Sequence, residues 1–486
     1  MDSFILCGMQ YGDEGKGTFV DYLVHEKNID CVVKYNGGSQ ASHTVITPEG
    51  KIHKFSQLGS GMFKEDCHTY ITENMVINID NLMVELEVFS KKTGISISNL
   101  LERIHIHENC YIVTPYHKLI NKLRELSKGN ERRGTVGTGV SEVKFLLLEP
   151  KKFPYEQPLG IQIKDVFDPY SNNPIIGKMR RFQEYVENFY YENKDKIQKH
   201  MPRQLKEKLN KEIDYLLANN AYAIVASDYV TSFKFAPEYF NLRKCIYNTY
   251  ELSFRKEHEE AIFEGSQGIL IDGTYGIKPN TTFLDTTNNF AMDIAYFRDD
   301  ITKIGIAKAF TSRHGPGIFP TESEYLRKKI SDENQEETFW NGKIRFGWFD
   351  VVLFKYAQRI NQVDELYLSS LDKLSNLKNI KICERYIYYG IVDQKFKDIF
   401  VYHIENEMII ITDIKRNDDD LINYLKKCEP DYIYMKGWET DISKVTKKCE
   451  LPKRCIEYIY ILKWLIKVPI TVVSVGPTRN NKIRIE

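Results

Sequence analysis

The chain reads as an α/β protein, a large, mainly parallel central sheet flanked by helices and carrying helical insertions. Three observations predict this. Short apolar runs of strand length recur along the chain. Glycine, proline or aspartate follows most of them closely. Between them lie segments with helical spacing. Strands separated by helices need crossover connections, so neighbouring strands run parallel. In such sheets ligands gather at the carboxyl ends of the strands, where the loops fall.

The elements follow in order. Residues 3–7 are the first apolar run, 12–17 are glycine-rich, and 18–24 have helical spacing, so the chain opens with a strand, a loop and a helix. Residues 31–34 form a second strand that runs into Gly37-Gly38. The character changes after about residue 150: residues 178–217 are charged, Tyr-rich and helical in pattern, interrupted at Pro202. Their lysine-rich face reads as a solvated surface. Strand-like runs return at 261–264, 303–307, 365–369 and 470–475. His105 and His107 alternate along another apolar run, without a third residue to suggest a metal site. No repeat, linker or clear boundary is visible, so one domain is expected over 1–486, with a helical insertion at 175–225 inside it.

Composition narrows the function classes. A chain of 486 residues buries roughly 75% of its unfolded surface and needs no disulfide or metal staple. Lys+Arg and Asp+Glu both number 67, which gives no support to a nucleic-acid or membrane-surface binder. The nine cysteines are scattered without a CxxC pair, as in a reduced protein. No run of ~20 apolar residues occurs. The expectation is a cytoplasmic protein.

Two loops carry chemistry. The first reads Gly8-Met9-Gln10-Tyr11-Gly12-Asp13-Glu14-Gly15-Lys16-Gly17. Glycines between a strand and a helix let backbone N–H groups approach a phosphate, and Lys16 adds a positive charge. The spacing is too long for a Walker A loop, and Gly17 stands where Ser or Thr would be needed. The acidic pair Asp13-Glu14 is unusual in such a loop, because a carboxylate there repels phosphate unless it binds a metal or removes a proton. The second loop, residues 34–44, places Gln40, Ser42 and His43 behind two glycines.

Together the loops resemble the adenylosuccinate synthetase family. Residues 10–17 match its Q-W-G-D-E-G-K-G element, and residues 37–44 match G-G-x-N-A-G-H-T. Residues 263–268 resemble F-E-G-A-Q-G, and 311–322 resemble T-R-x-G-x-G-P-F-P-T-E. Gly347-Trp348-Phe349-Asp350, Ser369-Ser370-Leu371-Asp372 and Ser474-Val475-Gly476-Pro477-Thr478-Arg479 match later signatures, so the resemblance spans residues 4–479.

The resemblance implies a ligase that phosphorylates O6 of a 6-oxopurine nucleotide with GTP and displaces that phosphate with the amino group of L-aspartate. It implies Asp13 as base and metal ligand, with the backbone near Ser42 also on Mg²⁺. His43 and Lys16 would act in phosphoryl transfer, and Gln267, counted with them as catalytic, would bind the acceptor nucleotide. Gly12, Gly15, Gly17, Gln40, Thr135 and Thr282 would hold nucleotide. Asp372 would read guanine beside a wall of Ser474, Gly476 and Pro477. Asn341, Lys343 and Arg345 would hold the acidic amino acid. A homodimer is expected.

The departures cluster around the substrates. Lys343 replaces an arginine and Asn341 a threonine in the amine-donor loop, and lysine lacks arginine's bidentate fork. Gln40 replaces an asparagine, Val136 a threonine, and Ser370 a lysine that would back Asp372. The arginine lent by a partner subunit has no clear counterpart; Lys144, Lys151 and Lys152 are the nearest basic residues. Two alternatives therefore stand beside the IMP reading. One is the same chemistry on dIMP, GMP, dGMP or another amine; the other is a nucleotide-binding subunit without catalysis. Asp13 argues against the phage branch that acts on dGMP, where serine is often found.

Overall fold

The computed structural model describes residues 2–132, 134–135, 137–148, 160–167, 174–219, 243–247, 258, 260–295, 300–330, 339–340 and 342–485. The chain forms two compact units. The first comprises residues 1–30, 43–54 and 260–486, and the second residues 31–42 and 55–259.

In the first unit, strands line up in the order Lys482–Arg484, Ile470–Ser474, Glu365–Ser369, Asp300–Lys308, Asp2–Gly8 and Ile262–Glu264. Every pairing is parallel except the Lys482–Arg484 edge, which runs antiparallel. Asp2–Gly8 is central, and Ile5, Leu6 and Cys7 are fully buried. An unbroken apolar run, rather than an alternating one, is what a parallel strand covered on both faces requires. The helix Lys16–Glu26 follows directly and buries Phe19, Val20, Leu23 and Val24. The α/β class is as the sequence predicts. A second sheet was not anticipated. It pairs Phe349–Asp350, Asn379–Tyr388, Met408–Ile414 and Phe400–Glu405, with Cys428–Lys436 alongside Asn379–Tyr388.

The second unit has four parallel strands in the order Cys31–Lys34, His68–Ile71, Ile104–His107 and Ile246–Tyr247. His105 stacks on Tyr70 with ring centroids 4.2 Å apart. Its helices include Pro115–Lys128, Pro174–His200 and Arg203–Ala218. Thr114 and His117 form a capping box at the start of Pro115–Lys128. Pro202, the interruption in the charged segment, sits at the N-cap of the last helix, where its missing N–H loses no helical bond.

Candidate active site

In the first unit, the loops leave the carboxyl ends of neighbouring strands. Leu6 pairs in register with Glu264 on one side and Ile304 on the other. The glycine loop therefore emerges beside Gly265-Ser266-Gln267-Gly268 and beside the turn that leads to Thr311–His314. A side chain at Gly8 would meet the Gln267 carbonyl at 2.4 Å, so only glycine allows these two loops to touch. Gly15 is left-handed (φ 83°, ψ 31°) and turns the chain into the helix. No side chain caps that helix, which leaves its first amides directed at whatever binds there.

Glu14 is buried and organises the loop. Its carboxylate accepts from the Gln10 and Gly12 amides at 3.0 and 2.8 Å and from Lys16 Nζ at 2.7 Å. Lys16 donates its other two protons to the carbonyls of Gly12 (3.0 Å) and Gln267 (2.6 Å). An ammonium has three donors, so Lys16 offers a phosphate its charge rather than a spare N–H.

Asp13 faces His314, whose Nε2 lies 3.1 Å from Oδ2. Burial would raise this carboxyl. The hydrogen bond and charge of His314, with the charges of Lys308 and Lys16, outweigh burial and bring it down to about 2. The side chain is still 37% exposed, so the anion can be reached by ligand. His43 is buried, and its Nδ1 is paired with the Glu264 carboxylate. A carboxylate on Nδ1 sets the tautomer and the ring's direction. Gln267 is left-handed (φ 60°), and its side-chain Oε1 is buried without a hydrogen-bond partner. Glu264 and His314 are the partners that reading by residue did not single out. Both lie inside recognised motifs, but nothing local marks them as facing His43 and Asp13.

The remaining sites of this unit lie on three further loops. Asp372 sits in the turn directly after Glu365–Ser369; burial raises its carboxyl, while Lys373 and Lys482 work against that. Ser474 Oγ donates to the Gly476 carbonyl at 2.8 Å, and Thr478 with Asn481 closes the turn that holds Pro477. Thr282 Oγ1 accepts from the Leu284 amide at 3.2 Å. Its loop is held by buried Asp272, which accepts from the Thr274, Tyr275 and Thr286 amides. In the loop expected to hold the amine donor, Arg345 forks onto Glu322 (2.9 and 2.6 Å) and also donates to the Gly315 and Gly317 carbonyls. A ligand carboxylate there would compete with Glu322. Lys343 is exposed. Asn341 lies outside the described residues.

In the second unit, Gly38 approaches the backbone of Val76; a Cβ would sit 2.7 Å from its carbonyl. This sharp turn presents Ser39 and Gln40. Ser39 Oγ and both ends of the Gln40 amide are buried without a partner. Ser42 is exposed. Thr135 donates to Asn121 at 3.1 Å. Lys144 donates to Asn74 at 3.1 Å, while Val136, Lys151 and Lys152 lie outside the described residues. Orphaned buried polar atoms are rare in folded proteins, so these three atoms are the conspicuous feature of the turn.

Comparison with known proteins bears on both units. A family model described as adenylosuccinate synthetase matches residues 5–483. An adenylosuccinate synthetase of Alkaliphilus metalliredigens is 32% identical over 99% of each chain. One from Halothermothrix orenii is 30% identical, covering 100% of this chain and 99% of that one. A fully ligated adenylosuccinate synthetase from Plasmodium falciparum superposes over 100% of both chains, with a TM-score of 0.72 at 22% identity. A succinoaminodeoxyadenylate synthetase of cyanophage S-2L, bound to dGMP and to dATP as an energy donor, gives a TM-score of 0.53 at 13% identity. That superposition covers 99% of this chain and 95% of the phage chain.

Proposed function

The chain belongs to the adenylosuccinate synthetase family, and from that premise we propose how its residues divide the work. The enzyme is a GDP-forming carbon–nitrogen ligase that joins IMP and L-aspartate at the expense of GTP with Mg²⁺. The family is generally dimeric, and a homodimer is the assembly expected here. Among the described residues no helix is long and apolar enough to cross a membrane, and we place the enzyme in the cytoplasm.

Asp13 takes the N1 proton of the hypoxanthine ring as O6 attacks the γ-phosphorus; the O6–P bond forms and GDP leaves. A carboxylate held at about 2 is a weak base. Proton loss and attack therefore proceed together, each making the other easier. Lys16 supplies positive charge beside the transferring group, and the uncapped amides of the helix Lys16–Glu26 receive phosphate oxygens. His43, aligned by Glu264, presents Nε2 to the phosphoryl oxygen and then to the departing phosphate. The aspartate amino group adds at C6. The C6–N bond forms, the C6–O6 bond breaks, and phosphate leaves carrying O6. Gln267 brings a side-chain Oε1 that lacks a protein partner to the acceptor nucleotide. Magnesium, when bound, would neutralise phosphate charge, and Asp13 is the residue of this unit that would hold it. An ionised, ligand-accessible carboxylate suits such a hard, oxygen-seeking cation.

The observation that carries this reading is the pairing of Asp13 with His314 and of His43 with Glu264, on loops that leave adjacent parallel strands. The changed-acceptor and non-catalytic readings are not favoured, because the family match and the named relatives span the whole chain. The test is to incubate the protein with GTP, Mg²⁺ and aspartate, plus IMP, dIMP, GMP or dGMP, and to weigh the products. A succino adduct of IMP with matching GDP is expected. An adduct formed only with dGMP, or none with any acceptor, would overturn the assignment.

A further inference from the structure

The strand Glu365–Ser369 ends beside the start of the helix Lys16–Glu26. A side chain at the left-handed N-cap, Gly15, would have three nearest neighbours: Thr18 Cγ2 at 3.6 Å, and the Cβ and Oγ of Ser369, both at 3.8 Å. Ser369 is 4% exposed, and its Oγ has no hydrogen-bond partner. Its backbone is already engaged. The residue pairs in register with Lys308, and its carbonyl accepts from the Ala309 amide at 2.8 Å. Thr18 also buries an unpartnered Oγ1, but the atom it brings closest to Gly15 is its methyl carbon. The hydroxyl that stands at the mouth of the helix is therefore that of Ser369.

A hydroxyl buried without a bond lowers stability, and alanine in the same place would not. The helix beside it has no side-chain cap. These two needs do not meet each other: Ser369 Oγ, which could accept from an amide, bonds to none. Amide N–H groups and a hydroxyl can share one partner, an acceptor with several lone pairs that reaches them together. A phosphate oxygen is such an acceptor, and its charge is favoured at a helix N-terminus with Lys16 close by. The position along the chain agrees. Ser369 is the last residue of its strand, at the carboxyl edge of the sheet where ligands gather. The next residue, Ser370, is left-handed (φ 57°) and opens the turn that carries Asp372. Ser369 thus stands between the loop read as receiving phosphates and the turn read as receiving the base.

We propose that Ser369 is a further binding residue for the donor nucleotide, its Oγ–H donating to an oxygen of the phosphate chain held at the start of Lys16–Glu26. The proposal rests on the reading that this helix receives the donor's phosphates.

The test is calorimetric titration of wild type, S369A and S369T, with Mg²⁺ present, using GDP and IDP. IDP carries the same phosphates on a base lacking the 2-amino group. A wild type that binds neither removes the phosphate reading of the helix, and this inference with it. Where wild type binds, S369A should raise Kd for GDP about tenfold, the scale of one hydrogen bond to a charged group, and Kd for IDP by the same factor. S369T keeps the hydroxyl and should bind both within about threefold of wild type. Without ligand, S369A should melt at or above the wild-type temperature, because only an orphaned hydroxyl is lost. A Kd for GDP in S369A within about twofold of wild type overturns the proposal and leaves the phosphate reading intact. So does a loss for GDP that spares IDP, since the hydroxyl would then be reading the base. A ligand-free S369A that melts well below wild type, or does not fold, shows the hydroxyl bonded inside the protein, and the proposal falls on that result too.

Discussion

The two glycine loops are built on opposite plans. In the first, Glu14, Lys16 and Asp13 already have protein partners, and the ammonium has none of its donors left over. In the second, Ser39 and Gln40 bury polar atoms that bond to nothing. The first loop is finished before any nucleotide arrives. The second turns sharply at Gly38 and leaves those polar atoms without partners in the protein. Phosphoryl transfer needs charge fixed in advance, because dipoles that must reorganise during reaction lose their advantage. Recognising an acceptor needs groups whose bonding is incomplete, because these reject a molecule that cannot complete it.

The comparison makes its strongest claim at Glu14. Glu14→Ala would strand a buried ammonium and two amides, so it should lower unfolding free energy by ~3–5 kcal/mol. A urea titration showing a loss under about 1 kcal/mol would mean that the loop is not prebuilt. Next come Asp13→Ala and His43→Ala, each expected to reduce turnover at least ~10²-fold. Steady-state rates near wild type in both variants would remove the assigned roles. In the second loop the sign should reverse. Gln40→Leu should stabilise the ligand-free protein by about 1 kcal/mol, since an apolar side chain has no bonds to lack, while raising KM for IMP. A thermal melt that falls instead would show that the Gln40 amide is bonded in solution. The smallest effect belongs to the amine-donor loop: Lys343→Arg should lower KM for aspartate roughly two- to fivefold by adding a bidentate fork. No change there would point to a different amine.

Much of this was legible in advance, for identifiable reasons. The strands of the first sheet announce themselves because parallel strands are apolar on both faces, and the runs at 3–7 and 365–369 are nearly continuous. Asp13, Lys16 and His43 stand out because glycines surround them. Their partners could not be seen. Glu264 lies 221 residues from His43, and the pair exists only because Ile262–Glu264 is hydrogen-bonded beside Asp2–Gly8. His314 meets Asp13 by the same logic, one strand over on the other side. Glu14 had been read with Asp13 as an acid in need of a metal or a proton. It has a third use, neutralising Lys16 inside the loop, which spacing alone could not distinguish. The second sheet stayed hidden because its strands are only partly buried. Cys428–Lys436 has no fully buried residue, and so shows little of the apolar pattern by which strands are recognised.

The short strand Ile262–Glu264 has a consequence for handling the enzyme. It has three residues, yet its last one aims the imidazole, and the loop it releases receives the lysine. Side chains alternate along a strand, so a slip of one position would put Phe263 where Glu264 belongs. Helical content would hardly notice. Protein recovered from denaturant could therefore regain its circular dichroism in full and still be inert, and specific activity, rather than a spectrum, is the proper gauge of a refolded batch.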